Sequence, residues 1–234
     1  MTSNYKIEFE KFFSYSLSLD CLIFGYKEGQ IHLLLIKRNL DPYKGDWAIP
    51  GDLVYPDEDL PEAASRILQD LTNLDNLKLH QAQTFGSPNR HPQGRVITCA
   101  YFALVKIDEV NAVASSWANE VIWAPVHEIG KLAFDHKEIV DSTFETLKNK
   151  LKTEPICFDL LPEKFTLHEF QQIYEYAFKT DLNKANFRKK IKSIPFVAHN
   201  EKQINVKHRP AKLFSFDHDK YDQLVANDLF TFKM

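Results

Sequence analysis

Two groups of residues in this 234-residue chain have types and spacing that bear on chemistry. The first is the run Trp47-Ala-Ile-Pro-Gly-Asp-Leu-Val, continuing through Glu58 to Leu74. Carboxylates on such a loop and helix are what a magnesium ion needs, because this hard cation takes several oxygen ligands in a near-octahedral array. Glu58 and Asp70 supply carboxylates, but Ile67 and Leu71 on the same helix offer no lone pair. Hydrocarbon at those two positions leaves that face of the helix short of oxygen donors, and we assign no metal site, no catalytic residue and no cofactor. The second group is basic: between Asn183 and Lys212, nine lysines and arginines face Glu201 alone, a net of +8. The whole chain carries −3, so the remainder carries −11. Charge separated this sharply suits one end to a polyanion.

The elements that must position these groups follow from pattern. Apolar runs at Leu17–Phe24 and Ile31–Lys37 predict strands ahead of the loop. Asp59 as N-cap, Pro61 in the first turn and Glu62 three after the cap predict a helix start. Ala63, Ala64, Ile67, Leu68 and Leu71 give that helix its apolar stripe. Further strands are expected at Leu77–Phe85, Val96–Ile107 and Glu120–Trp123, followed by a helix capped by Asp135. Pro155 and Pro162 mark a junction, dividing the chain into domains at 1–153 and 154–234.

Beyond the junction the pattern changes. Thr166 and Glu169 form a capping box opening a helix with Leu167, Phe170, Ile173, Tyr174 and Ala177 inward. Asn183 caps a second helix carrying Phe187, Ile191 and Ile194 at i, i+4, i+7 and ending at Pro195. Phe196–His199 and Lys212–Phe216 then read as two short strands. Helix, turn, basic helix and hairpin is the order of a winged helix-turn-helix. The face opposite the buried stripe is centred on Ala185, Lys189 and Lys192, with Asn186, Arg188 and Ser193 flanking. Lys184 in the first turn joins Ala185, Asn186, Arg188, Lys189 and Lys192 as a candidate DNA contact. Ala185 permits close approach, while Asn186 and Arg188 are suited to reading adenine and guanine edges. Lys189, Lys192 and the wing residues Lys207, Arg209 and Lys212 are suited to phosphates. Double-stranded DNA is the expected partner.

Composition is that of an ordinary globular protein, with 44% hydrophobic and 26% charged residues. Cys21, Cys99 and Cys157 form no C-x-x-C pair and are expected as buried free thiols in a reducing cytoplasm. There is no signal-peptide pattern and no run long enough to span a bilayer, so no membrane partner is expected.

Taken together, the motifs resemble the Nudix-related transcriptional regulators, both the NrtR-like proteins and, most closely, the arabinose-responsive AraR-like branch. The likeness covers nearly the whole chain. It includes Leu33–Arg38, Trp47–Gly51, Gly94–Ile97, Ala133–His136, Asn186–Arg188, Arg209–Leu213 and Phe216-Asp217. Glu58, Ala63, Ala64 and Arg66 stand where the Nudix signature has them, whereas Asp52, Ile67, Leu71 and Asn73 depart from it. The resemblance implies an α+β fold: a Nudix-like α/β/α sandwich that binds an effector, then a winged helix-turn-helix. It also implies a homodimer on a palindromic operator, repression, and release by a small ligand. A sugar or nucleotide sugar is the expected effector, with Arg38, Glu58, Arg90 and Arg95 as candidate contacts. The loop Gly86–Pro92 has no acid, unlike its acidic counterpart in relatives that bind ADP-ribose. Arg90 and Arg95 either meet a phosphate or form surface ion pairs. Two other readings stay open: a pyrophosphohydrolase using Glu58 and Asp70 with magnesium, and a protein-interaction scaffold with a basic tail.

Overall fold

The computed structural model describes residues 15–191, 194–203, 210–227 and 232–234. These pack as two compact units. The first comprises residues 15–24, 33–103 and 110–144. The second comprises Gly25–His32, Leu104–Glu109 and the described residues of Glu145–Met234.

The principal sheet is built from β1 (Ser16–Lys27), β2 (Gln30–Arg38), β3 (Trp47–Ala48), β4 (Gly51–Leu53), β5 (His80–Phe85), β6 (Val96–Lys106) and β7 (Ala118–Pro125). Its order is β3-β2-β1-β6-β5, with β4 paired to β1 and β7 to β2. In β1, Leu19, Cys21, Leu22, Ile23 and Phe24 are all fully buried. Continuous burial, in place of alternation, marks a strand covered on both faces. β1 and β2 outrun the expected spans at both ends, and β7 is longer than Glu120–Trp123. β5 begins only at His80, because Asn76 turns the chain through a left-handed conformation at φ 51°.

Helix α1 (Leu60–Thr72) starts as expected. The Asp59 side chain accepts from Glu62 N and the Glu62 side chain accepts from Asp59 N, closing both halves of the capping box. Asn73, in the left-handed region at φ 56°, ends it. Its buried face is Ala63, Ala64, Ile67, Leu68, Leu71 and Thr72. Helix α2 (His136–Thr153) does follow Asp135, but that carboxylate binds Arg90. The Asp135 carbonyl accepts from Glu138 N at 2.9 Å and Ile139 N at 3.2 Å, the place at the helix start that the sequence predicts.

In the second unit the supposed junction is itself packed. Pro155–Asp159 forms a 3-10 turn with Ile156, Cys157 and Phe158 buried. The Phe158 ring stacks on Phe216 at 4.1 Å and on Phe170 at 5.2 Å. Helix α3 (Leu167–Phe178) has the expected Thr166–Glu169 capping box and buries Phe170, Ile173, Tyr174 and Ala177; Leu167 is only half-buried. Helix α4 (Lys184–Lys190) is capped by the Asn183 side chain, which accepts from Ala185 N and Asn186 N. It is shorter than expected, yet Ile191 and Ile194 beyond its end are buried with Phe187. Gln171, 4% exposed, fixes the turn between the two helices by donating to Leu182 O at 2.9 Å. Strands β8 (Phe196–Lys202) and β9 (Lys212–Phe216) form the expected antiparallel hairpin. Phe165 joins β9 through a pair of 2.8 Å backbone bonds with Phe214. A final helix, α5 (His218–Ala226), capped by Asp217, was not expected from the sequence.

Candidate effector site and nucleic-acid interface

A cavity of about 450 Å³ opens in the first unit. β1, β2 and β4 supply Ser18, Asp20, Arg38 and Gly51 to its lining, and connecting loops supply Arg90, His91, Trp117 and Phe134. Three of the four candidate contacts, Arg38, Arg90 and Arg95, line it; Glu58 does not.

The cavity floor is a buried polar cluster. Arg90 clasps Asp135 through Nε at 2.9 Å and Nη2 at 2.8 Å, and reaches Asp20 at 3.4 Å. Its guanidinium is buried, which corrects the expectation of a surface ion pair. Thr98 Oγ1 donates to Asp20 Oδ2 at 2.8 Å. Burial outweighs these partners and pushes the Asp20 carboxyl up to about 6. His136 Nδ1 accepts from Ile49 N at 3.2 Å, which leaves the proton on Nε2, 3.5 Å from Asp20 Oδ1. Burial holds this imidazole neutral, pushed down to about 3.

Arg38 also lines the cavity and is 8% exposed. Its guanidinium carbon lies 4.9 Å from the ring centres of both Trp117 and Phe134. Nε donates to Pro42 O at 2.9 Å and Nη2 to Leu40 O at 3.3 Å, so the side chain also orders its own loop. His91 stacks on Phe134 at 5.0 Å, and burial lowers its pKa. Arg95 donates to Gly86 O at 2.6 Å.

Glu58 belongs to a separate arrangement. It accepts from Arg66 at 2.6 and 2.8 Å and from Tyr55 N at 2.7 Å. The Arg66 bond holds its carboxyl down at about 2. Arg66 also donates to Leu53 O and lies over the Tyr55 ring at 3.8 Å, so the pair ties the loop to α1. Ile67 and Leu71 on that helix are fully buried. The resemblance to Nudix proteins implies a divalent cation here, and these residues do not fit one. Among the described residues, no group of three or more His, Cys, Asp or Glu could hold a metal.

In the second unit, Lys184, Ala185, Asn186, Arg188, Lys189 and Lys190 are all exposed on α4. Lys212, also exposed, lies over the Phe214 ring at 5.8 Å. Lys192, Lys207 and Arg209 lie outside the described residues. Glu201, the single acid of the basic stretch, pairs with Lys164 at 2.8 Å. Sequence reasoning missed Trp117, Phe134, Asp20 and His136 at the cavity. The signal for Asp20 was a lone acid inside an apolar strand, and for His136 its adjacency to Asp135.

Comparison with known proteins agrees with this layout. Residues 15–143 match the family described as NUDIX domain, and residues 157–216 match the NrtR DNA-binding winged helix domain. The chain is 33% identical over 211 residues to the ADPR responsive transcriptional repressor NtrR of Acinetobacter baylyi, spanning 88% of this chain and 84% of that one. Among solved structures it is similar to Shewanella oneidensis NrtR complexed with a 27mer DNA. That likeness has a TM-score of 0.71 and 26% identity, covering 88% of this chain and 95% of the other. The NUDIX domain of the same Shewanella oneidensis protein, complexed with ADP ribose, matches with a TM-score of 0.55 and 26% identity. It covers 63% of this chain and 99% of that domain. With a Nudix domain, an NrtR winged helix and a relative of this closeness along most of its length, the chain belongs to the NrtR family of Nudix-related transcriptional regulators.

Proposed function

We propose that this protein is a sequence-specific DNA-binding repressor. Residues 1–153 sense a nucleotide sugar of the ADP-ribose type without hydrolysing it, and residues 154–234 bind the operator. The observation that carries the reading is α4: an Asn183-capped helix with exposed Lys184, Asn186, Arg188, Lys189 and Lys190, backed by Phe187 in the core of a winged-helix unit. Such a helix offers donors for base edges and cations for phosphates from one rigid support. The regulatory half of the reading draws on the relatives, one named as ADPR responsive and one solved with ADP ribose. The cavity lined by Arg38 and aromatic rings suits a phosphorylated ligand with a planar base. The buried Ile67 and Leu71 support binding without turnover. A homodimer on a palindromic operator, acting in the cytoplasm, completes the proposal.

The test is fluorescence anisotropy on DNA from upstream of the protein's own gene, at two salt concentrations, with and without ADP-ribose or arabinose. Specific binding that weakens steeply with salt is expected, and ADP-ribose should release the DNA. No specific binding, or affinity indifferent to salt, would sink the regulator reading. Hydrolysis of ADP-ribose above the buffer rate with magnesium would restore the enzyme reading.

A further inference from the structure

We infer that the cavity of the first unit receives a phosphate or diphosphate group directly on Arg38, with no divalent cation between them. This rests on the reading of the first unit as an effector domain and names how its ligand's charge is met.

Three guanidinium groups line the cavity, and their situations differ. Arg90 is matched by Asp135 and Asp20, so its charge is already answered. Arg95 donates to a backbone carbonyl and remains half-exposed to water. Arg38 is 8% exposed, yet among the described residues no carboxylate forms an ion pair with it. Asp52 and Asp41 act on it only at longer range. Its protein acceptors are the Pro42 and Leu40 carbonyls, leaving Nη1 unbonded on a side chain that lines the cavity. A cation withdrawn from water without a counter-anion is costly, and an anion from solution removes that cost. The rings of Trp117 and Phe134, each centred 4.9 Å from the guanidinium carbon, and the two carbonyl bonds restrict how the guanidinium can turn. A planar fork held in one orientation is suited to two parallel bonds to a phosphoryl group.

The second observation is the chain's unfitness for a metal. A diphosphate carries charge that a Nudix hydrolase meets with magnesium on helix carboxylates. Here Ile67 and Leu71 are buried hydrocarbon, and Glu58 is committed to Arg66. Among the described residues, Arg38 is the buried cation of the cavity lining without a carboxylate ion pair to meet it, with the half-exposed Arg95 at the same cavity.

Calorimetric titration of the full-length protein, with EDTA and separately with magnesium, tests this using ADP-ribose and inorganic diphosphate as probes. The expected result is binding of both probes in EDTA, at an affinity that magnesium does not raise. Arg38→Gln should weaken both by about tenfold or more, with Arg38→Lys recovering part of the loss. The metal comparison needs no variant, so a misfolded substitution leaves it decisive. Binding that requires magnesium overturns the inference while leaving the sensor reading intact. Diphosphate bound in EDTA with ADP-ribose rejected upholds the Arg38 site and removes ADP-ribose as effector. If neither probe binds in EDTA, or if Arg38→Gln binds both unchanged, the inference is wrong.

Discussion

A methyl group placed on Gly51 would lie 2.8 Å from the carbonyl oxygen of Leu19 and closer still to Asp20 Oδ1. The backbone atom cannot swing aside, because Leu19 sits in a fully buried strand. Gly51→Ala is therefore expected to destabilise the first unit by about 1–3 kcal/mol, read as a lowered denaturant midpoint. The buried titratable pair beside it makes a prediction about acid. His136 is neutral in the folded protein, pushed down to about 3, so its contribution is whole above its ordinary 6.5 and lost as pH falls toward 3. Asp20 is pushed up to about 6, so its contribution is whole below its ordinary 3.8 and lost as pH rises through 6. Over roughly pH 4–6 the two slopes oppose each other. Asp20→Asn removes one of them, so the variant should lose stability on acidification more steeply than the natural protein, by up to about 1.4 kcal/mol per pH unit. Denaturant titrations at pH 6, 5 and 4 decide it; parallel curves would be contrary. The sequence displayed Arg90 as a cation in a loop without acids. Its partners Asp135 and Asp20 lie 45 and 70 residues away and no local spacing announces them.

Helix starts were the most legible elements, because a capping box is a local bargain between residues three apart. Asp59 with Glu62 and Thr166 with Glu169 both form as the sequence predicts. Thr166→Ala should lower stability by about 1 kcal/mol, and Thr166→Ser should restore most of it, by thermal denaturation. Helix α4 was legible in its cap and its buried Phe187, but not in its length. Helix α5 escaped notice because it is short: its apolar residues Tyr221, Leu224 and Val225 span little more than one turn, and none of the helix is buried. The two prolines around Pro155–Asp159 suggested a junction, and nothing local announced the ring packing inside it. Its Phe158 proves to be a packing centre for rings contributed from four other places in the second unit. For α4, Lys189→Ala should weaken binding to specific and unrelated DNA alike and reduce the slope of affinity against salt by about one. Arg188→Ala should instead cost more on the preferred sequence, by about 1–3 kcal/mol, which competition against scrambled DNA would reveal.

At the scale of the whole molecule, the split between a −11 remainder and a +8 segment was visible from residue counts alone. Which ligand suits the cavity of the first unit was not, because cavity chemistry is assembled from strands and loops far apart in sequence. If ADP-ribose loosens DNA, DNA must loosen ADP-ribose by the same factor. Titrating ADP-ribose into free and operator-bound protein should show weaker binding to the operator-bound form, by the factor that ADP-ribose takes from operator affinity, and the same affinity for both forms would show that the two events are uncoupled. The thiols offer an independent clock. Cys21 and Cys99 lie in the first unit and Cys157 in the second; all three are buried, and burial pushes Cys157 up to about 12 and Cys21 up as well. An alkylating reagent therefore marks each site only during moments when that unit opens. Peptide mass mapping of the labelled protein would time the breathing of the halves separately, and saturation with effector should slow the first pair of marks while leaving the third to report whether opening is shared.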